Sequence, residues 1–161
     1  MKKIYLFLLV TFGLLITFIV LFFGWMTIKE NANGGWRLLT ENKEKSQIFY
    51  MHKPSISHVS SDEKLVWVKF IITEDQKRKN YIEENNLQDI KGIENFSHVS
   101  WLVQINLKNR QYRVIQEDHY DVNDIILKRH VQKYTKEEWN KIIPDSIAES
   151  ILNELKKPRF F

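Results

Sequence analysis

Hydrophobic and polar positions divide this 161-residue chain into three kinds of stretch. The first is an apolar run of twenty-three uncharged residues from Ile4 to Met26, behind Lys2 and Lys3. As a helix it would reach about 35 Å, enough to cross the roughly 30 Å hydrocarbon core of a bilayer. It is apolar on every side, unlike a surface helix, which keeps a polar face. The second kind is a set of short runs with period two, the mark of half-buried strands. Trp36–Thr40 and Gln47–Met51 flank the charged turn "ENKEKS" and predict a hairpin. Lys64–Ile72 is apolar on both faces, as in a central strand covered twice or meeting a partner on its second face. Val99, Trp101, Val103, Ile105 and Leu107 alternate with Ser100, Gln104 and Asn106. "LKNRQ" turns the chain into Tyr112–Ile115, and Ile125–Arg129 follows "DVND".

The third kind is helical. Ser146 and Glu149 form the Ser-x-x-Glu word of a capping box, in which side chains satisfy the free N–H groups of a helix start. Ile147, Ile151, Leu152 and Leu155 then share one face, and Pro158 ends the pattern. Pro144 biases Ile143 towards extended backbone, so the chain turns sharply between Trp139 and the cap. The expected architecture is mainly β (α+β): a roughly six-stranded antiparallel sheet covered by a C-terminal amphipathic lid, with Trp139 filling the corner. The excursion at 74–95 is polar and long for a hairpin loop, with only Tyr81, Ile82 and Leu87 as a weak helical stripe. It is expected to be functional, partly helical or mobile, with a mobile polar insertion foremost and a contact surface as the alternative.

The expected organisation is an N-terminal membrane anchor at 1–30, a "NANGG" linker at 31–35, and a sheet domain at 36–157. The apolar run exceeds the usual 7–15 residues of a cleavable core and meets no small-x-small site at its end, which favours a retained signal-anchor. Cleavage, giving an exported form, is the alternative. Lys2 and Lys3 favour a cytoplasmic head and an exported domain; Lys29, Arg37, Lys43 and Lys45 pull the other way.

Charge narrows the partners little. The net charge is +4, but residues 31–161 hold 21 Lys and Arg against 19 Asp and Glu, a mixed surface and not a nucleic-acid stripe. Lys77-Arg78-Lys79 is followed by Glu83 and Glu84 and is expected to be a solvated loop. With no cysteine, disulfides, thiolate catalysis and Cys-based zinc sites are excluded.

Candidate chemistry is sparse. His52, His58, His98, His119 and His130 include no pair at metal-binding helical spacing. The word "SHVS" recurs at 57–60 and 97–100 with unlike flanks, and a site joining His58 to His98 is not expected. "EDHYD" at 117–121 gathers acid, imidazole and phenol, all useful in acid–base work, but is expected to be a strand end or turn with a solvated histidine. Phosphate loops, nucleophile elbows and zincin words do not occur. No catalytic, cofactor-binding or metal residue is assigned, no cofactor is expected, and the binding residues are left unassigned.

A series of words carries a resemblance. Trp36, "IFYMHKPSI" at 48–56, "LVWVKF" at 65–70, "VQINLKNRQYRV" at 103–114, "DHYD" at 118–121, then Trp139 and "IIPDSIAESIL" at 142–152 follow in order. In this the chain resembles the surface-adhesin protein E family of Gram-negative bacteria over most of residues 36–156. The resemblance implies a small antiparallel sheet with a C-terminal helix, a homodimer, and binding of host matrix and plasma proteins. Two departures matter. The family typically has a cysteine before the "NR-Y" turn and another at the end of the last helix, where this chain has Leu107 and Leu155-Lys156. It also lacks the lipidation cysteine of the outer-membrane adhesin, which moves the expected address to the inner membrane, facing the periplasm. The expected function is therefore a membrane-tethered, non-enzymatic binding module recognising a protein or envelope component. A structural or assembly accessory of the envelope is the alternative; an enzyme ranks last.

Overall fold

A computed structural model describes Thr17, residues 34–132 and residues 138–157. The chain divides into two compact units, Met1–Gly35 and Trp36–Phe161. The predicted span at 4–26 lies, apart from Thr17, outside the described residues, and no described helix is long and apolar enough to cross a membrane.

Among its described residues the second unit holds one antiparallel sheet of eight strands. Six form a meander: β1 (Trp36–Asn42), β2 (Gln47–His52), β4 (Glu63–Ile72), β5 (Phe96–Asn106), β6 (Gln111–Asp121) and β7 (Ile126–Val131), adjacent in that order. Two short strands complete it. The first, β3 (Ser57–His58), pairs with β4 beyond the end of β2, and the second, β8 (Asn140–Lys141), pairs with β6. Between β2 and β3 the Ser55 hydroxyl accepts a bond from the Trp67 N–H at 3.0 Å, satisfying β4 where its edge partner changes. The six expected strands are all present. The strand expected at Tyr112–Ile115 runs on to Asp121, through the "EDHYD" word expected as a strand end or turn.

Register sorts the residues of each strand by face. Phe49 and Met51 of β2, Val66, Val68, Phe70 and Ile72 of β4, and Val99, Val103 and Ile105 of β5 fall on one face and are buried. Two helices cover this face: α1 (Asp75–Glu84) and α2 (Ile147–Lys156). In α2, Ile151, Leu152 and Leu155 are buried and Ile147 is half-buried, all within the core, as the helical spacing predicts. Ser146 Oγ accepts from the Glu149 N–H at 3.2 Å. The return arm of the capping box differs, since the Glu149 carboxylate accepts from the Asp145 N–H at 2.8 Å and pairs with Arg110 at 2.6 Å. Leu107 and Leu155, where the family resemblance implies cysteines, both belong to the core cluster.

Two expectations need correction here. Trp139 does not fill the corner under the lid. The Arg113 guanidinium lies 4.4 Å over its ring, and Arg113 points to the opposite face with Gln104; buried Ile142 joins the core instead. The 74–95 excursion is not a mobile insertion, and Lys77-Arg78-Lys79 is not a loop: the segment starts with α1 and packs on the core through Tyr81 and Ile82. Leu87 is fully buried, and Gly92 takes a left-handed conformation (φ +87°) that suits glycine. A Cβ there would also sit 3.2 Å from Leu127.

Candidate functional site

Helices α1 and α2 leave a groove of about 420 Å³ over the sheet, within the roughly 300–1,000 Å³ range of small-ligand sites. Its floor is aromatic. Phe70 lies 5.4 Å from Phe49, 4.7 Å from Trp101 and 5.8 Å from Tyr81, ring centre to ring centre. Its rim is polar: Lys77, Asn80, Glu84 and Asn85 from α1, and Asn42, Lys45 and Gln47 from the β1–β2 hairpin. The rings come from β2, β4, β5 and α1: Phe49 and Phe70 are register partners, and Trp101 lies one same-face position along β5 from Val99, the partner of Phe70. Phe49 and Phe70 are buried, so the ring area open to a ligand is that of the half-buried Trp101 and Tyr81, with amides and opposite charges around it.

Two of the lining residues, Trp101 and Tyr81, join a partly buried polar network. The Trp101 indole N–H donates to Glu117 at 2.8 Å, and the other Glu117 oxygen lies 3.6 Å from His119 Nε2. Tyr81 Oη lies 3.1 Å from the same nitrogen, while the Tyr81 ring stacks on Phe96 at 5.7 Å. His119 is 1% exposed, and its Nδ1 is buried without a partner. We therefore place the proton of the neutral ring on Nε2, because a bare lone pair is less costly to bury than an unused N–H. Burial lowers the His119 pKa below the ordinary histidine value, although Glu117 pulls it up. Burial, with the Glu117 charge second, raises the Tyr81 phenol well above its ordinary value. These groups act as a structural clasp between α1 and β6. The expected solvated histidine at 117–121 is thus corrected: the "EDHYD" word lies inside β6 and its imidazole is sealed.

The clasp makes stability depend on pH. Because the folded His119 pKa lies below the unfolded value of about 6.5, the unfolded chain takes the proton first. Unfolding free energy therefore falls as pH drops through about 6.5, and levels off below the folded pKa. His98 adds the same sign, its pKa lowered by burial and then by Lys69. Urea titrations between about pH 7 and pH 5 should show this slope, and His119→Gln should flatten it. An unchanged slope in the variant would remove His119 from the account.

The other face of the sheet carries a separate polar row. Tyr50, Lys69, Ser100, Asp118 and Arg129 lie side by side from β2 to β7. Asp118 is 0% exposed, and Arg129 holds it in a two-pronged ion pair at 2.8 Å on each oxygen, with Gln116 donating at 2.8 Å. Burial pushes this carboxylate up, but the Arg129, Gln116 and Tyr120 bonds outweigh it and hold it below the usual range. Lys69 Nζ sits 4.5 Å over the Trp36 ring, and its pKa is lowered by burial. His98 stacks on Tyr120 at 4.8 Å.

The histidines do not converge. His58 pairs with Lys64 and His98 with Ile71, seven residues apart along β4, or about 23 Å. Among the described residues no group of three His, Asp or Glu could hold a metal. None of the groove residues was singled out from sequence as a site. The nearest sign was the weak Tyr81 stripe.

Over the described residues from 34 to 157 the chain is mainly β, one antiparallel sheet with two α-helices on a single face. Comparison with protein-family models, curated proteins and solved structures returns no match.

Proposed function

We propose that this chain is a non-enzymatic binding module, tethered to a membrane by its N-terminal segment, with the domain facing the periplasm. The groove between α1 and α2 takes an apolar or aromatic group of a protein or envelope component. The observation that carries this reading is the pair of half-buried rings, Trp101 and Tyr81, backed by buried Phe49 and Phe70 beneath an amide-rich rim. Recognition sites combine a flat apolar anchor with a few orienting polar groups in this way. The acid–base groups beside the floor support binding over catalysis. His119 is sealed, and the Tyr81 phenol is shifted away from the range in which it could exchange a proton at neutral pH. The resemblance to the surface-adhesin protein E family points the same way, towards a protein ligand.

The test uses the full-length chain in its own envelope membranes. Fractionation should place it in the inner membrane, and the mass of its mature N-terminus should retain residues 4–26. Asn80 is exposed on the groove rim, so Asn80→Trp should fill the mouth without touching the core. This variant should keep its melting temperature and lose about tenfold or more in affinity for solubilised envelope components. Undiminished binding by Asn80→Trp would exclude the groove. A mature chain starting near Asn33 would exclude the tether.

A further inference from the structure

Both open rings of the groove end on groups around one imidazole. Tyr81 meets His119 Nε2 through its hydroxyl, and Trp101 donates to Glu117, whose second oxygen lies towards the same nitrogen. The neutral ring has its proton on Nε2, so a second proton must go to Nδ1. That atom is buried, and no acceptor among the described residues reaches it. A buried N–H without an acceptor is costly, and more so when it carries charge. The charged groups around the ring do not remove that cost. On β6, Glu117 favours the cation, but its oxygens lie towards Nε2 and the Trp101 indole. Asp118, also on β6, faces the other side of the sheet and is neutralised by Arg129. On β7, Lys128 is the register partner of His119 and opposes the cation. On α1, Tyr81 contributes an uncharged phenol, and on β5 Phe96 and Val99 carry no charge.

Water relieves the cost once it reaches the ring, and α1 is the weakest cover. The strands on either side are held by ladders, with Val99 of β5 and Lys128 of β7 both register partners of His119. Helix α1 has no fully buried residue and no side-chain cap at its start, and it meets the core through Tyr81 and Ile82. Segments held by so few contacts open before the rest of a domain. We propose that His119 is a proton-operated latch on the groove: a second proton on the imidazole releases α1, and the groove loses its Tyr81 wall. The latch rests on the reading of the groove as the binding site, and adds to it a regulator, mild acidity. With α1 go Lys77, Asn80, Glu84 and Asn85, the rim residues of that side. A group bound at neutral pH is therefore let go as the surroundings acidify. Linkage fixes the sign. The open form takes the proton at an ordinary histidine value and the closed form at a lower one, because of burial, so protons favour opening. For an open form titrating at about 6.5 and a closed form that stays neutral, the open fraction rises about tenfold from about pH 7.5 to about pH 5.5.

Hydrogen exchange of the full-length chain, corrected for the pH dependence of the intrinsic rate, tests this at about pH 7.5 and about pH 5.5. Protection in 75–84 should be lower than in β4 and β5 at both, as local opening requires, and should fall about tenfold on acidification. His119→Gln, which cannot take the proton, should hold protection in 75–84 level between the two. The His119 ring NMR signal gives a check that needs no variant, since it should titrate below the ordinary value of about 6.5. Solubilised envelope components captured at about pH 7.5 should leave about tenfold faster after the shift to about pH 5.5, and no faster from His119→Gln. Titration of His119 at or above about 6.5 overturns the latch, as does an equal loss of protection in His119→Gln. Exchange in 75–84 no faster than in β4 and β5 does so too, because the proton would then act only through global unfolding. So does an unchanged release rate where Asn80→Trp abolishes capture. Capture undiminished by Asn80→Trp would remove the groove and leave the exchange results standing, so the two failures are separable.

Discussion

Ile151→Ala is expected to lower the unfolding free energy by about 2–4 kcal/mol, from lost apolar transfer plus the cavity that remains. Ile151 is 2% exposed in the middle of α2 and sits with Leu152 and Leu155 in the core. Relaxation into the gap is restricted from both sides. The sheet beneath is held by long pairing between β4 and β5, and the helix is pinned by the Ser146 cap and the Glu149 bonds to Asp145 and Arg110. Ser146→Ala supplies a scale, since the loss of one cap bond at a part-exposed helix start should cost about 1 kcal/mol. Urea unfolding of both variants beside the parent is the measurement. If α2 instead waited for another molecule, Ile151→Ala would leave stability nearly unchanged and weaken association only. That outcome would overturn the lid.

Legibility in the sequence followed how local each signal is. The capped helix α2 and the alternation from Val99 to Ile105 were readable because start signal, spacing and burial lie within a few residues. In α1 only Tyr81 and Ile82 reach the core, so the spacing carried almost no signal. That helix is held by distant partners, the Phe70 and Phe96 rings and the His119 imidazole. The second half of β6 was hidden for a related reason. A run containing Glu117, Asp118 and His119 reads as solvated, yet Asp118 is buried against Arg129 and Gln116, and His119 is buried with only its Nε2 partnered, by Tyr81. Burial of polar groups depends on pairing that only the folded sheet supplies. The groove was out of reach on the same principle. Its floor joins residues from four elements, and each ring alone looks like ordinary core.

Phe70→Ala should be the most damaging single change, at about 3–5 kcal/mol for a buried aromatic cut to a methyl. Phe70 is 1% exposed on β4 and touches three other rings, those of Phe49, Trp101 and Tyr81. Its loss should be felt unevenly. On the β4 side the sheet keeps its ladder to β2 and β5, so the domain should still unfold cooperatively. On the helix side α1 has few apolar contacts, and Phe70 supplies one of the rings against Tyr81. Hydrogen exchange should therefore accelerate in 75–84 by more than the global loss of stability requires, because a weakly anchored segment opens locally before the rest. Tyr81→Phe gives the contrast. It keeps the ring against Phe70 and Phe96 and removes only the hydroxyl bond to His119, so it should cost about 1 kcal/mol. Uniform acceleration across the domain in Phe70→Ala would mean that α1 is held by the rest of the core and not by this ring. The groove would then be a rigid slot, and Phe70→Ala should deepen it without releasing its α1 wall.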